Sequence, residues 1–520
     1  MYSNLLQSRK LISGFLFVIV YFVSSCKKEE TDPFTQNVSS LINSLEYDPA
    51  KLLNVQNIGN EPDKRVETGS ENGSSSQSGG YITTCGKTIY TLQTNKEAIT
   101  ILRPLHGNVW PGALVKGNAS LLDGDPDTIK IARNPVNIKI DLPGIGDNGS
   151  VTVDNPSDTA IQNAVTNALN WWNAKAYQEG YVNPNYTSYK TAPSYSAQQV
   201  AMDLNMNTTW ANSTIASQFN YPSSSAKKVA MMVVKQGFYT ASMPEPNSPA
   251  VVFGQDSDIA TIDETVSKIK AVVSNEAPPA YIQTVTYGRI ILFRMETALS
   301  VTPEDVEVAL QYATGVTNVS GDTETKVKNI LANATITLTS IGKNAAINSR
   351  SVSARSYGEL AGYINDKNSL YTIQNPGVPI QYTVRFLKDN QVARMGYTTQ
   401  YTIEACTRTL VPEAVVSLTN NTGTQGGIGW DVQYTLSFKD KDNADQRLES
   451  GAIEKGANKS VTLPAGSYKI TMEAEYKDVN KWKNLGKQSW EVPTKGCFEA
   501  YGNWELFGKK GPEFRSITCQ

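Results

Sequence analysis

The sequence predicts an α+β protein that ends in a β-sandwich, and three features of its patterning carry that expectation. Thr88–Leu92, Ala98–Leu102 and Ile138–Leu142 alternate apolar and polar residues with period two, as half-buried strands do. Asp158–Ala176 instead places Ile161, Ala164, Val165, Ala168 and Leu169 on one helical face. From about Cys406 the texture changes to short strands separated by turn signals: Ala414–Leu418, Asp431–Phe438, Lys459–Leu463, Tyr468–Glu475, Ser489–Val492 and Tyr501–Phe507.

Taken in order, the chain starts with an export address. Arg9 and Lys10 precede the apolar run Leu11–Val23, which is shorter than the roughly 20 residues of a comfortable membrane span. Val23-Ser24-Ser25-Cys26 then has the form of a bacterial lipobox, so residues 1–25 are expected to be a lipoprotein signal and Cys26 the lipid-attachment site. Residues 26–40 are expected to be a tether, with Leu41–Leu53 a small helical or extended segment and 66–80 a flexible Gly/Ser-rich loop. Pro143-Gly144 closes the first strand run as a turn, and Ala197–Asn205 is a second helix candidate.

Strands resume at Val229–Val234 and Phe238–Ala241, and again in Tyr281–Thr297, a strand pair around Tyr287-Gly288-Arg289. Two segments, 241–272 and 303–331, are ambiguous. In the second, Val306, Val308, Leu310, Tyr312 and Val316 fall on one face of a strand, while Val306, Ala309, Leu310 and Ala313 make a helical stripe.

Composition narrows the function. Lys plus Arg is 47 and Asp plus Glu is 49, with no basic stripe, so nucleic acid is not an expected partner. One histidine, His106, excludes any His-pair zinc site, and no carboxylate pair sits in a catalytic motif. No enzyme activity, metal or cofactor is expected. Besides Cys26, the cysteines are Cys85, Cys406, Cys497 and Cys519. They permit two disulfides in an exported chain, with Cys497–Cys519 and Cys85–Cys406 one of three pairings, or four buried free thiols.

Segments in a fixed order resemble the cholesterol-dependent (thiol-activated) cytolysins, a family of β-barrel pore-forming toxins. They are Ser44–Asp48, Trp110–Leu114, Asn134–Gly144, Val153–Pro156, Lys227–Val229, Lys235–Thr240, Ser274–Pro279, Tyr287–Arg289, Glu296-Thr297, Tyr382 and Phe386–Asn390. The resemblance covers about residues 41–410 and implies an elongated multi-domain molecule. A bent, twisted antiparallel central sheet is flanked by two helical bundles, expected at 241–272 and 303–331, that unfurl into amphipathic transmembrane β-hairpins. Residues 41–405 would form this core and 406–520 the docking sandwich.

The resemblance also implies roles for single residues. Tyr287, Gly288 and Arg289 would form the sheet bend, and Gly342, the one glycine kept of a family Gly-Gly, would release the edge strand. Tyr239 and Ile336 would meet across the subunit interface, Ile336 standing where the family has an aromatic. The docking tip would hold Trp482, Trp504 and Leu506. The family's Trp-rich undecapeptide appears as Glu473–Lys483, with one Trp, three acids and no Cys, so cholesterol is not expected as receptor. These departures lead us to expect a target membrane and a self-oligomer, completed by a second cytolysin-like subunit, at the cell surface or outer membrane. The alternative is a surface adhesin or glycan-binding lipoprotein that kept the fold without inserting.

Overall fold

The computed structural model describes residues 32–59, 61–101, 107–183, 186–206, 227–255, 261–342, 347–366, 368–423, 429–502 and 511–519. Cys26, His106, Trp504 and Leu506 lie outside them. Pairing defines a ten-stranded central sheet, a three-stranded ribbon and two four-stranded sheets that form the C-terminal sandwich.

The organising element is the single strand Pro279–Thr297, continuous through the point where the sequence suggested two. It pairs along its length with Lys228–Ser242. On its other edge it changes partner. Ile290–Thr297 pair with Ala334–Ile341, whereas Ala280–Gly288 pair with Val378–Phe386. Outside Ala334–Ile341 lies the short strand Ile347–Val352, and outside Lys228–Ser242 lies Tyr186–Pro193. Residues 229, 231 and 233 face one side of the sheet and 230, 232 and 234 the other, all buried, because both faces are covered by helices.

The ribbon joins Asp63–Ser78, Tyr81–Lys96 and Met395–Leu410. Two expectations change here. Residues 66–78 of the expected flexible loop are a strand, closed by Gly79-Gly80, both at positive φ. Its small polar residues bury nothing, so no alternation marks it, yet its backbone is paired across to Tyr81–Lys96. The second change is the boundary at 406. Met395–Leu410 runs through Cys406, and the sandwich starts at Ala414.

Cys85 and Cys406 are directly opposite across the ribbon and form a disulfide, as do Cys497 and Cys519 at the end of the sandwich. The expected tether also ends early. Asp32 caps a helix over Pro33–Asn43 whose Phe34, Val38 and Ile42 are buried in the main core.

Candidate functional site

Three glycines converge around Tyr287-Gly288-Arg289, the expected bend. Gly237 and Gly288 are cross-strand partners, a register shift follows between Gly237 and Tyr239, and Gly377 packs on Gly288. A Cβ on Gly377, at φ +79°, would lie 2.8 Å from the Gly288 nitrogen. Arg289 fills the inner side, donating to the carbonyl of Ile364 at 2.7 Å and pairing with Asp366 at 2.8 Å. The guanidinium therefore ties the bend to the segment that leads into Val378–Phe386. Gly342 follows Ile341, the last rung shared with both Ile290 and Ile347, so it stands where the edge hairpin begins.

Tyr239 and Ile336 are not brought together. Tyr239 is buried at the bend, stacked on Tyr287 with centroids 5.0 Å apart and against the edge of Tyr371. Burial pushes its phenol well above the ordinary range. Ile336 pairs with Met295, eight residues further along the central strand, and is buried beneath the 303–332 helices. Tyr239 is thus a core residue and not an edge residue. The outer strand on that side is Tyr186–Pro193, which exposes Tyr186 and Tyr189. Sequence reasoning missed it, although Tyr186, Ser188 and Lys190 alternate with Thr187, Tyr189 and Thr191.

Topology also moves the first bundle. Pro193, Lys228, Thr297 and Ala334 gather at one end of the sheet, since Ala230 pairs with both Pro193 and Met295, and Thr297 with both Lys228 and Ala334. Connections 194–227 and 298–333 leave from this end. Ser242 and Pro279 lie at the other end, so 241–272 is remote from the second bundle. It is part of the main core: Met243, Ala250, Val252, Phe253 and Ile269 are buried there, beside the helix Pro33–Asn43. The strand ends that flank 194–227 and 298–333 lie together at one end of the sheet.

The described residues of the two connections cover opposite faces of the sheet. In the second, helix Pro303–Thr314 is capped by Thr302 and Asp305 and ends at Gly315 with φ +81°. It packs with helix Gly321–Ala332 on Ala230, Met232, Val234, Phe293 and Met295. The helical stripe Val306, Ala309, Leu310 and Ala313 is fully buried; Tyr312 is buried too, while Val308 and Val316 are half-buried. In the first, helix Ala197–Asp203 buries Val200, Ala201 and Leu204 against Met231, Val233, Ile290 and Leu292.

Polar contacts hold this arrangement at its margins. Tyr195 donates to Glu304 and stacks on Tyr401 of the ribbon, touching all three parts. Arg65 of the ribbon makes a forked contact with Asp203 at 2.9 and 3.0 Å. Thr191 donates to Glu307 at 2.6 Å.

The sandwich hairpin Tyr468–Asp478/Lys481–Trp490 contains the whole of Glu473–Lys483, with Trp482 half-buried opposite Lys477 near its tip. At the turn Val479 is exposed at φ +58°. Among the described residues the one cysteine–acid cluster, Cys85, Glu404 and Cys406, contains the ribbon disulfide.

Comparison with known proteins bears on this architecture. The family described as thiol-activated cytolysin matches residues 37–410. The chain is 29% identical to tetanolysin of Clostridium tetani over 419 residues, 79% of this chain and 73% of tetanolysin. It is 30% identical to perfringolysin O of Clostridium perfringens, over 76% of this chain and 75% of that protein. Its match to streptolysin O of Streptococcus pyogenes is 31% identical, covering 72% of this chain but only 64% of streptolysin O. The crystal structure of listeriolysin O superposes with a TM-score of 0.62 at 21% identity, covering 94% of this chain and 96% of that one. That of the human-specific toxin intermedilysin gives 0.59, over 94% and 99%.

Proposed function

Because this chain belongs to the thiol-activated cytolysins, we propose that it is a pore-forming protein whose connections 194–227 and 298–333 unfold into two amphipathic transmembrane β-hairpins. One observation carries the reading: both connections leave the same end of the central sheet, each joins neighbouring antiparallel strands, and each sets at least one helix on a sheet face, Ala197–Asp203 in the first. Each is roughly 35 residues long, enough for two strands of about 9–11 residues and a turn. Extending them prolongs strands that already exist, and the alternation Val306, Val308, Leu310, Tyr312 and Val316 supplies a lipid-facing side.

An isolated hairpin in lipid would leave backbone groups unpaired, so many protomers must assemble before insertion. The two outer edges of the sheet suggest how. With Ile347–Val352 displaced about Gly342, Ala334–Ile341 of one protomer would pair with Tyr186–Pro193 of the next. Ile336 offers no ring for stacking there, which favours a second, related subunit as partner. We further propose that Cys26 anchors the exported chain at its maker's surface. The sandwich would dock on the target without cholesterol, since Glu473–Lys483 is a charged segment of a paired hairpin with one register shift at Ala474/Glu475. The work done is mechanical, with no catalytic step.

A cysteine pair tests the mechanism. A Cβ built on Gly315 lies 3.9 Å from that of Ala361, a separation that suits a disulfide. Oxidised Gly315→Cys/Ala361→Cys should bind dye-loaded liposomes yet fail to release dye, and reduction should restore release. Undiminished leakage from the oxidised pair would overturn the assignment. Liposomes that never leak with wild-type protein, whatever subunit is added, would favour the adhesin.

A further inference from the structure

Where the first bundle meets the sheet, three lysines converge. Lys96 of the ribbon is buried and donates to the carbonyl of Met206 at 2.7 Å, with its ammonium over the ring of Tyr397. Lys235 of the central sheet donates to Thr100 at 2.5 Å and Gln381 at 3.4 Å. Lys190 of the outer strand donates to the side chain of Asn205 at 3.2 Å, and Thr100 to the Asn205 carbonyl at 2.7 Å. Lys235 is opposite Ser188 in the ladder, so it shares a face with Lys190 two residues on.

All three ammonium groups bind neutral oxygens. Asp203, whose charge acts on Lys96, is engaged by Arg65 and Gln199, and Asp141 lines the adjoining cavity. Gathering two further positive charges beside the buried Lys96 with little counter-charge is costly, and proteins resolve it by losing protons or by holding an anion. Both responses have room here. A cavity of about 300 Å³ is lined by Lys190, Lys235, Ser188, Tyr186, Asn205 and Gln381, and it adjoins one of about 750 Å³ that shares Tyr186, Ser188, Lys235 and Gln381. Its walls offer ammonium, hydroxyl and amide donors, a set suited to an oxyanion.

We propose that this cavity is a binding site for a small divalent oxyanion of the sulfate or phosphate class. Seated between Lys190 and Lys235, with Lys96 behind them, the anion fastens Asn205 and Met206, and so the end of helix Ala197–Asp203, to the sheet. Binding is linked to protons. Burial beside Lys235 and Lys190 pushes Lys96 down to about 7, against the opposing pull of Asp203, and burial beside Lys190 pushes Lys235 down to about 8. An anion that favours the charged forms must bind more tightly as pH falls. The site stands independently of pore formation; only its consequence, a delayed release of the first bundle, rests on that reading.

Sulfate is the suitable probe, because its charge stays fixed across the range in which the lysines titrate. Titration calorimetry of the purified protein with sodium sulfate should show one saturable site whose affinity rises at least about tenfold from pH 8.5 to 6.5. Lys190→Gln, at an exposed position, and Lys235→Gln should each weaken it about tenfold. Vesicles of phosphatidic acid should leave the signal unchanged; if they abolish it, the ligand is a lipid headgroup and the free-anion reading falls. The same response from sodium chloride at matched ionic strength, or a sulfate affinity in both variants equal to that of wild type, would overturn the site.

Discussion

A Cβ on Gly288 would lie 1.9 Å from the carbonyl oxygen of Gln236 on the neighbouring strand. The two backbones touch where the central strand changes partner, and there is no side chain to yield. Gly288→Ala should therefore destabilise the protein by at least about 1–3 kcal/mol, read as a lower denaturation midpoint. Gly237→Ala, whose Cβ would meet only the Thr286 methyl at 3.1 Å, should cost less. Equal midpoints for Gly288→Ala and wild type would show that the bend opens freely.

The placement of Tyr239 and Tyr189 separates a core role from an edge role. Tyr239→Ala removes a buried ring stacked on Tyr287 and should cost about 3–5 kcal/mol, as large core truncations do. Tyr189 is half exposed on the outer strand, so Tyr189→Ala should leave stability within about 0.5 kcal/mol. Its effect should appear instead in the yield of large SDS-resistant oligomers on target liposomes. Unchanged oligomer yield would remove Tyr189 from the interface.

These two tyrosines also show what the sequence conceals. The helical stripes at 158–176 and 303–314 and the first four sandwich strands were legible because burial on one face imposes a period. By contrast, Ser489–Val492 overruns the end of Lys481–Trp490, and residues 503–507 of the expected strand Tyr501–Phe507 lie outside the described residues. Gly288 and Gly342 were singled out through resemblance alone. The edge of the sheet was not. Tyr239 and Tyr189 sit in equally strand-like text, and only the ladder reveals which of them has neighbours on both sides. The segments 241–272 and 194–227 were not distinguishable for the same reason: both are mixed polar segments beside a strand, and which end of that strand they leave from is a property of topology. Asp63–Ser78 escaped because a strand that buries neither face carries no pattern.

Removing the ribbon disulfide should weaken the fold. Cys85 and Cys406 are 321 residues apart, so their bond closes a very long loop in the unfolded chain. Cys85→Ser/Cys406→Ser should lose about 2–5 kcal/mol relative to the oxidised protein, measured by denaturant unfolding without reductant. A loss below about 0.5 kcal/mol would show that strand pairing alone sets the ribbon.

Lys96 makes stability depend on pH with a definite sign. Its folded pKa of about 7 lies below the ordinary value of 10.5. Between those values the unfolded chain binds the extra proton, so stability rises with pH; below about 7 both states are protonated and the full cost of the buried charge is present. The advantage of wild type over Lys96→Met should therefore grow between pH 7 and 9 by about 1.4 kcal/mol per unit. A difference independent of pH over that window would mean that Lys96 keeps its proton in the fold.

The contact of Arg65 with Asp203 gives the most direct handle on the first bundle. Asp203 is the last residue of helix Ala197–Asp203, and the fork from Arg65 joins it to a ribbon that is separate from the sheet beneath. A partly exposed pair of this kind contributes up to about 1 kcal/mol, roughly a fivefold change in the opening equilibrium. Arg65→Ala should accordingly speed amide hydrogen exchange at residues 197–206 by up to about fivefold, without altering exchange in helix Pro303–Thr314 on the opposite face. Charge reversal, Arg65→Glu, should open the helix further, and adding Asp203→Arg should restore protection by rebuilding the pair in the opposite sense. Exchange that speeds equally on both faces would mean that the two bundles open as one unit, and exchange unchanged at 197–206 would mean that the helix is held by Val200, Ala201 and Leu204 alone.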